Sequence, residues 1–351
     1  MRKTGLFRRA INIPMLAACI IFPAATGVLA QNADAPRKPV VVTPSDADAA
    51  AARDSETVFL KAYSGTKSRS VPESKLTIRR APINGASKHG DREGQGDELV
   101  RIPGHLSFFG GPVVQMAESH NIYLFSTGCM TPACWGDPEP FLRDFGRSEF
   151  VHVTDQYVGT TANNRYTLGA SAAIPFTVSK TALTDDDVRG IVHAVASASG
   201  ETGYNHIYHV FIPPGQDECI VPGVCASNVF CAYHSSVDFQ DIGHVLYSVE
   251  PFADVPGCQV KPGTPNGQLI DSTNDVLSHE LTETITDPDG DAWFDITSGG
   301  MLGEEIGDEC VFVVIVGNAL FGDPAIINVN GRTYAIQPEY NNRARACTAD
   351  R

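Results

Sequence analysis

The sequence predicts an α+β fold: a single domain with a mixed sheet, one helix of the type that carries an active site, and loops tied by disulfides. Three observations predict it. Short β-branched and aromatic runs bounded by turn residues, at 121–126 and 205–212, have the composition of core strands. Between and beyond them, 184–195 and 272–286 space their apolar residues at helical intervals. Eight of the nine cysteines fall beyond residue 100, enough for four cross-links.

The elements follow in chain order. Arg2, Lys3, Arg8 and Arg9 precede an apolar run from Ile13 to Val28, and Val28-Leu29-Ala30 suits signal-peptidase cleavage, so residues 1–30 are expected to be a secretory signal. Pro14 and Pro23 interrupt that run and no later segment is apolar over the length a bilayer demands, so no membrane span is expected. Residues 31–97 are rich in Ala, Asp, Ser, Gly and basic residues and poor in aromatics. They read as a disordered leader or linker, with a short helix over 54–62. The domain is expected over 98–351, a length that can bury one core.

Within it, Pro112-Val113-Val114 and 121–126 read as strands, 137–145 as a helix through Phe141, Leu142 and Phe145, and 150–153 as either type. Thr184 with Asp185, Asp186 and Asp187 caps a helix whose Val188, Ile191, Val192 and Val195 form one stripe. The run 205–212, closed by Pro213-Pro214-Gly215, reads as a buried strand, 219–231 as a disulfide-tied loop and 244–249 as a strand. Ser272 with Asn274 and Asp275 would cap a helix that ends at Asp287-Pro288. A loop over 291–303 and strands over 311–316 and 331–337 complete the expectation.

Cys19 would leave with the signal. In an oxidising compartment, secreted or periplasmic, the other eight would pair. Of the many pairings that eight cysteines allow, proximity suggests Cys129 with Cys134, Cys219 with Cys225, Cys231 with Cys258 and Cys310 with Cys347. A thiolate zinc site would need paired Cys-x-x-Cys spacing, which the chain lacks. The formal net charge is −15, and loss of Arg2, Lys3, Arg8 and Arg9 makes it more negative still. Nucleic acid and anionic membranes are therefore poor partners, whereas a peptide or protein substrate remains open.

The densest chemistry lies in Ser278–Pro288, Trp293 and Glu305–Cys310. On a helix, His279 and Glu283 at i and i+4 share a face, with Glu280 about 100° round the axis. A catalytic zinc takes three protein ligands, keeps a fourth position for water, and uses a nearby carboxylate to accept the proton. His279, Glu283 and Glu305 are the expected ligands and Glu280 the base. Asp308 is either a fourth member that orients a ligand or exchanges roles with Glu305, and Asp287 and Asp289 compete for the third position. This is the layout of the zinc-protease helix, whose second ligand is usually histidine, so the domain is expected to be zincin-like. Two carboxylates and one imidazole cancel the charge of zinc and make it a weaker Lewis acid, which leaves another divalent ion as the alternative.

Other residues are weaker candidates. His234, beside Cys231, is assigned a catalytic hydrogen bond to a reacting carbonyl, against a purely structural role. Ser235 and Ser236 lack a nucleophile-elbow setting. His206 and His209 point to opposite faces of a strand and read as hydrogen-bonded core histidines. The 287–291 segment could be a calcium loop, although it lacks EF-hand spacing. Acids on an exposed helix face are usually only solvated, which is the plain alternative for the whole cluster.

Gly110–Val114, Tyr157, Cys231–His234, Ser278–Glu283 with Thr286-Asp287-Pro288, Trp293 and Glu305–Asp308 before Cys310 together resemble the phosphate-induced, EXORDIUM-like secreted protein family. The likeness runs from Gly110 to Cys347. It implies an exported protein, since plant members are apoplastic and linked to growth responses and bacterial relatives are exported. It also implies His279, Glu280, Glu283, Glu305 and Asp308 as the positions of the zinc-protease-like motif. The chain departs from plant members in its long leader and in lacking a glycine-rich stretch after Cys310. Two functions are thus expected to compete: an exported zinc-dependent hydrolase acting on a peptide carbonyl, and a noncatalytic secreted module acting through protein or glycan contacts.

Overall fold

Ile122 and Leu124 belong to one buried apolar cluster and Tyr123, between them, to another, so the strand that carries them is covered on both faces. The computed structural model describes residues 40–41, 77–80, 105–255, 257–295, 305–311 and 324–350. The central sheet contains β1 (Val40–Val41), β2 (Thr77–Arg80), β3 (Ala117–Phe125), β4 (Tyr166–Leu168), β5 (Ala172–Pro175), β6 (His206–Phe211), β7 (Phe230–Phe239) and β8 (Gly243–Glu250). Their order is β1-β5-β3-β6-β8-β7-β2, with β4 beside the start of β3. The strands from β1 to β8 in that order run parallel, and β7 and β2 are antiparallel to their neighbours. The sheet is therefore mixed, within an α+β fold.

Helix α1 (Glu139–Phe145) is followed by α2 (Asp185–Ser199) and α3 (Gln268–Thr286). Thr184 and Asp187 form a capping box at the start of α2. The valines and isoleucine of α2 pack with Ile122, Leu124, Tyr208 and Val210 on one face of the sheet. On the other face, Leu277, Leu281 and Ile285 of α3 join the cluster of Tyr123, Ile207, Phe211 and Leu246. A hairpin of β9 (Ala325–Val329) and β10 (Arg332–Ile336) lies along α3. Four disulfides join Cys129–Cys134, Cys219–Cys225, Cys231–Cys258 and Cys310–Cys347, the nearest-neighbour pairing. Among the described residues no helix is long and apolar enough to cross a membrane.

Several expected elements differ. α3 starts at Gln268, a turn early, because Gly267 at φ 98° sharply redirects the chain, and no side chain caps the helix. Ser272 and Asn274 lie inside the helix, where Ser272 Oγ donates to the Gln268 carbonyl and accepts from Val260 N–H. Pro112–Val114 forms no strand, and Val114 N–H donates instead to the Ile285 carbonyl at the end of α3. The expected 219–231 loop contains a hairpin of Glu218–Val221 and Val224–Cys225 and then enters β7. Residues 150–153 are a 3₁₀ turn, and Asp308–Val311 is a helical turn instead of the start of a strand. The expected signal, the helix over 54–62 and residues 312–316 lie outside the described residues.

Candidate metal centre

Every residue of α3 from Asp271 to Thr286 is buried, so its polar face turns inward onto β7. His279 Nε2 stands 3.1 Å from Glu283 Oε1 one turn on. The turn at 305–311 brings Asp308 Oδ1 to 3.9 Å from the same nitrogen, and Asp308 N–H donates to Glu283 Oε1 at 3.1 Å. Gly307 permits that approach, because a Cβ there would overlap the His279 ring and the Glu283 carboxylate. Gln337, just past β10, directs its amide nitrogen at His279 Nδ1 and the Gly307 carbonyl, both at 2.8 Å.

His234 enters from β7. The Asp287 carbonyl, 3.2 Å away, can only accept, so His234 Nε2 carries a hydrogen and donates to it. Its Nδ1 then faces Glu280 Oε2 and Glu283 Oε2, each at 3.5 Å, and its Nε2 lies 3.6 Å from Glu305 Oε2. Two overlapping groups result, His279 with Glu283 and Asp308, and His234 with Glu280 and Glu283, each with ligand atoms within 4.8 Å of one another. Glu283 is common to both.

Not every expected member is gathered. Glu305 stands beside His234 and against Asp287, and Asp308 occupies the place next to His279 and Glu283. The two carboxylates thus sit in the exchanged arrangement, because Asp308 lies on the turn that Gly307 lets approach α3. Asp287 Oδ1 accepts from Ala292 N–H at 2.7 Å, while Asp289 accepts from Tyr204 Oη at 2.6 Å and stands 3.2 Å from His244. These two acids face different partners, so 287–291 does not gather them as a calcium loop would. His234 lies within ligand distance of three carboxylates and is fully buried, a position unlike that of a carbonyl donor in an open cleft. His209 donates and accepts only within a buried pair of hydroxyls, Ser248 at 2.8 Å and Ser119 at 3.1 Å, and burial lowers its pKa to about 3. It is a neutral core histidine.

The electrostatics are unbalanced. Glu280 Oε1 and Oε2, Glu283 Oε2, Glu305 Oε2 and His279 Nε2 have no hydrogen-bond partner among the described residues. Burial, reinforced by the charges of Asp287, Glu283 and Asp308, pushes Glu305 well above the ordinary carboxyl range. Burial also raises Glu280 against the opposing influence of His234 and His279, and lifts Asp287 to about 7. For Glu283, burial is outweighed by His279 and His234, which lower it to about 2. For His234, burial opposes charge, yet Glu280 and Glu283 raise it to about 10. An unpaired buried charge costs several kcal/mol, so acids in such a cluster are either held neutral by their own protons or balanced by a cation.

The spacing fits one. Ligand atoms bonded to a tetrahedral ion at about 2.0–2.2 Å stand about 3.3–3.6 Å apart. The contacts around His279, 3.1 and 3.9 Å, fall on either side of that range, and those around His234, 3.5 Å each, fall within it. The mixed nitrogen and oxygen donors suit zinc or another first-row divalent ion. Gln337 and the role of Gly307 carry no sequence signal, because both act through close backbone approach that only the folded chain creates. Compared with protein-family models, curated proteins and solved structures, the chain matches none.

Proposed function

We propose that this chain is an exported metal-dependent hydrolase in which α3, β7 and the 305–311 turn hold one divalent ion, zinc first among the candidates, and act on a peptide or protein carbonyl. The observation that carries the reading is the convergence, among the described residues, of five buried polar atoms without a hydrogen-bond partner, from four side chains. His279, Glu283 and Asp308 would hold the ion, which would lower the pKa of a water bound to it. Glu280, whose proton affinity is raised by burial, would be the proton acceptor beside them. His234, held by its bond to the Asp287 carbonyl, stands beside Glu280 and fixes the position of that carboxyl. The four disulfides agree with export. The likeness to the EXORDIUM-like family and to zincin-like domains belongs to the same proposal and rests on the motifs.

One observation favours the second reading, a noncatalytic secreted module. His279, Glu280 and Glu283 are fully buried, and a closed shell is the habit of a structural ion. Elemental analysis of the disulfide-intact protein beside His279→Ala tests the centre: the variant should hold one ion fewer, and equal metal contents would overturn it. Glu280→Gln then separates the readings. A hydrolase keeps the ion and loses most turnover of a peptide mixture, whereas a binding module shows no turnover in either protein.

A further inference from the structure

We infer that Glu118, His120 and His206 form a second divalent-metal site, of zinc class, on the opposite face of the sheet from the α3 centre. Glu118 of β3 and His206, the first residue of β6, are register partners, and His120 follows two residues along β3 on the same side. Their ligand atoms all lie within 4.8 Å of one another. His120 Nε2 and His206 Nδ1 are 3.1 Å apart. Two imidazole nitrogens bonded to one tetrahedral zinc at about 2.0–2.1 Å stand about 3.3 Å apart, so the pair is already at ligand spacing.

The hydrogen-bond pattern selects the right tautomer. His120 Nδ1 lies 3.2 Å from the Ala170 carbonyl, which can only accept, so Nδ1 carries the hydrogen and Nε2 presents its lone pair toward His206. Glu201 Oε2, 3.5 Å from the same Nδ1, adds a carboxylate behind the ring. A carbonyl or carboxylate behind an imidazole is what orients a metal-bound histidine. The ring is otherwise fixed by stacking on Tyr208 at 5.1 Å and by Gly169, where a Cβ would strike it. A cavity of about 90 Å³ beside His120 leaves room for small adjustment. Glu118 and His206 are only half-buried, so the cluster is reachable from solvent. Two imidazoles and one carboxylate favour zinc, cobalt(II) or copper(II) over calcium or magnesium.

Chelator-stripped full-length protein, disulfides intact, would be titrated with Co²⁺ in a His279→Ala/Glu283→Gln background that silences the first centre. The expected result is one Co²⁺ bound with the visible d–d absorption of a tetrahedral site. His206→Ala in that background should weaken binding at least tenfold, and Glu118→Gln should weaken it less. His193→Ala, a buried histidine of α2 bonded to Asp241 and outside the cluster, should leave Co²⁺ binding unchanged. Absence of Co²⁺ binding in the background protein, or equal binding after His206→Ala, would overturn the site. If the background protein does not fold, the wild type supplies the reading: His206→Ala must remove one ion from its content, and removal of none would overturn the site. Loss of the α3 centre alone leaves this result untouched.

Discussion

α2 and α3 lie on opposite faces of one sheet and meet the demands of burial in different ways. α2 is an ordinary amphipathic helix, with a capping box at its start and a stripe of Val188, Ile191, Val192 and Val195 inside. α3 has the same kind of stripe in Leu277, Leu281 and Ile285, yet its remaining residues from Asp271 onward are buried too, and most are polar. Ser278, Thr282, Thr284 and Thr286 satisfy themselves by donating to carbonyls of the preceding turn. His279, Glu280 and Glu283 have no such local remedy. The comparison teaches that buried polarity as such is inexpensive in this helix, and that three side chains concentrate the charge that packing alone does not settle.

Four experiments break or sharpen that contrast. The largest effect is expected from Leu277→Ala, which empties a fully buried position of α3 and should destabilise by about 2–5 kcal/mol in denaturant unfolding. A loss below about 1 kcal/mol would mean that the apolar stripe of α3 is secondary to its polar contacts. Chelation comes next. If free ion stands at about a hundred times Kd, stripping it should lower stability by about 2.7 kcal/mol, seen as a fall in Tm that His279→Ala no longer shows. An unchanged Tm on chelation would leave the carboxylates balanced by some other means.

Thr184→Ala should cost about 1 kcal/mol through loss of the α2 cap and leave the metal content unaltered, which separates the two helices by assay. The smallest effect involves His244, near the far end of α3. Burial lowers its proton affinity, but bonds to Asp289 and Asp238 outweigh burial and raise it. Its contribution is therefore complete below the unfolded value of about 6.5 and is lost as pH rises through the higher folded value. The stability gap between wild type and His244→Ala should be widest in mildly acidic buffer and shrink toward alkaline pH; a gap that widens would reverse the sign.

What could be read in the chain depended on how local the cause was. The capping box at Thr184, the strands around Ile122–Leu124 and 206–211, and the stop at Asp287 each rest on a few adjacent residues and were legible. β7 was not. Its His234, Ser236 and Asp238 break the apolar run expected of such a strand, because that face meets the polar side of α3 and not an oily one. The start of α3 was misplaced for a similar reason: Ser272 and Asn274 resemble caps, but the helix begins where Gly267 turns the backbone. In the candidate site, the i, i+4 pair of His279 and Glu283 was visible from spacing. The exchanged places of Glu305 and Asp308 depend on the backbone path at Gly307, which no sequence period encodes.

The cross-links bear on how such a protein matures. Cys231–Cys258 staples the strand that bears His234 to the approach of α3, and Cys310–Cys347 anchors the turn that bears Asp308. Closing loops of this size removes about 3–4 kcal/mol of unfolded-chain freedom per bridge. In a thiol-reducing compartment the acids would have to assemble against mutual repulsion without that restraint. The two bridges therefore act on the cohesion of the buried acidic cluster itself, and not only on the stability of the chain as a whole.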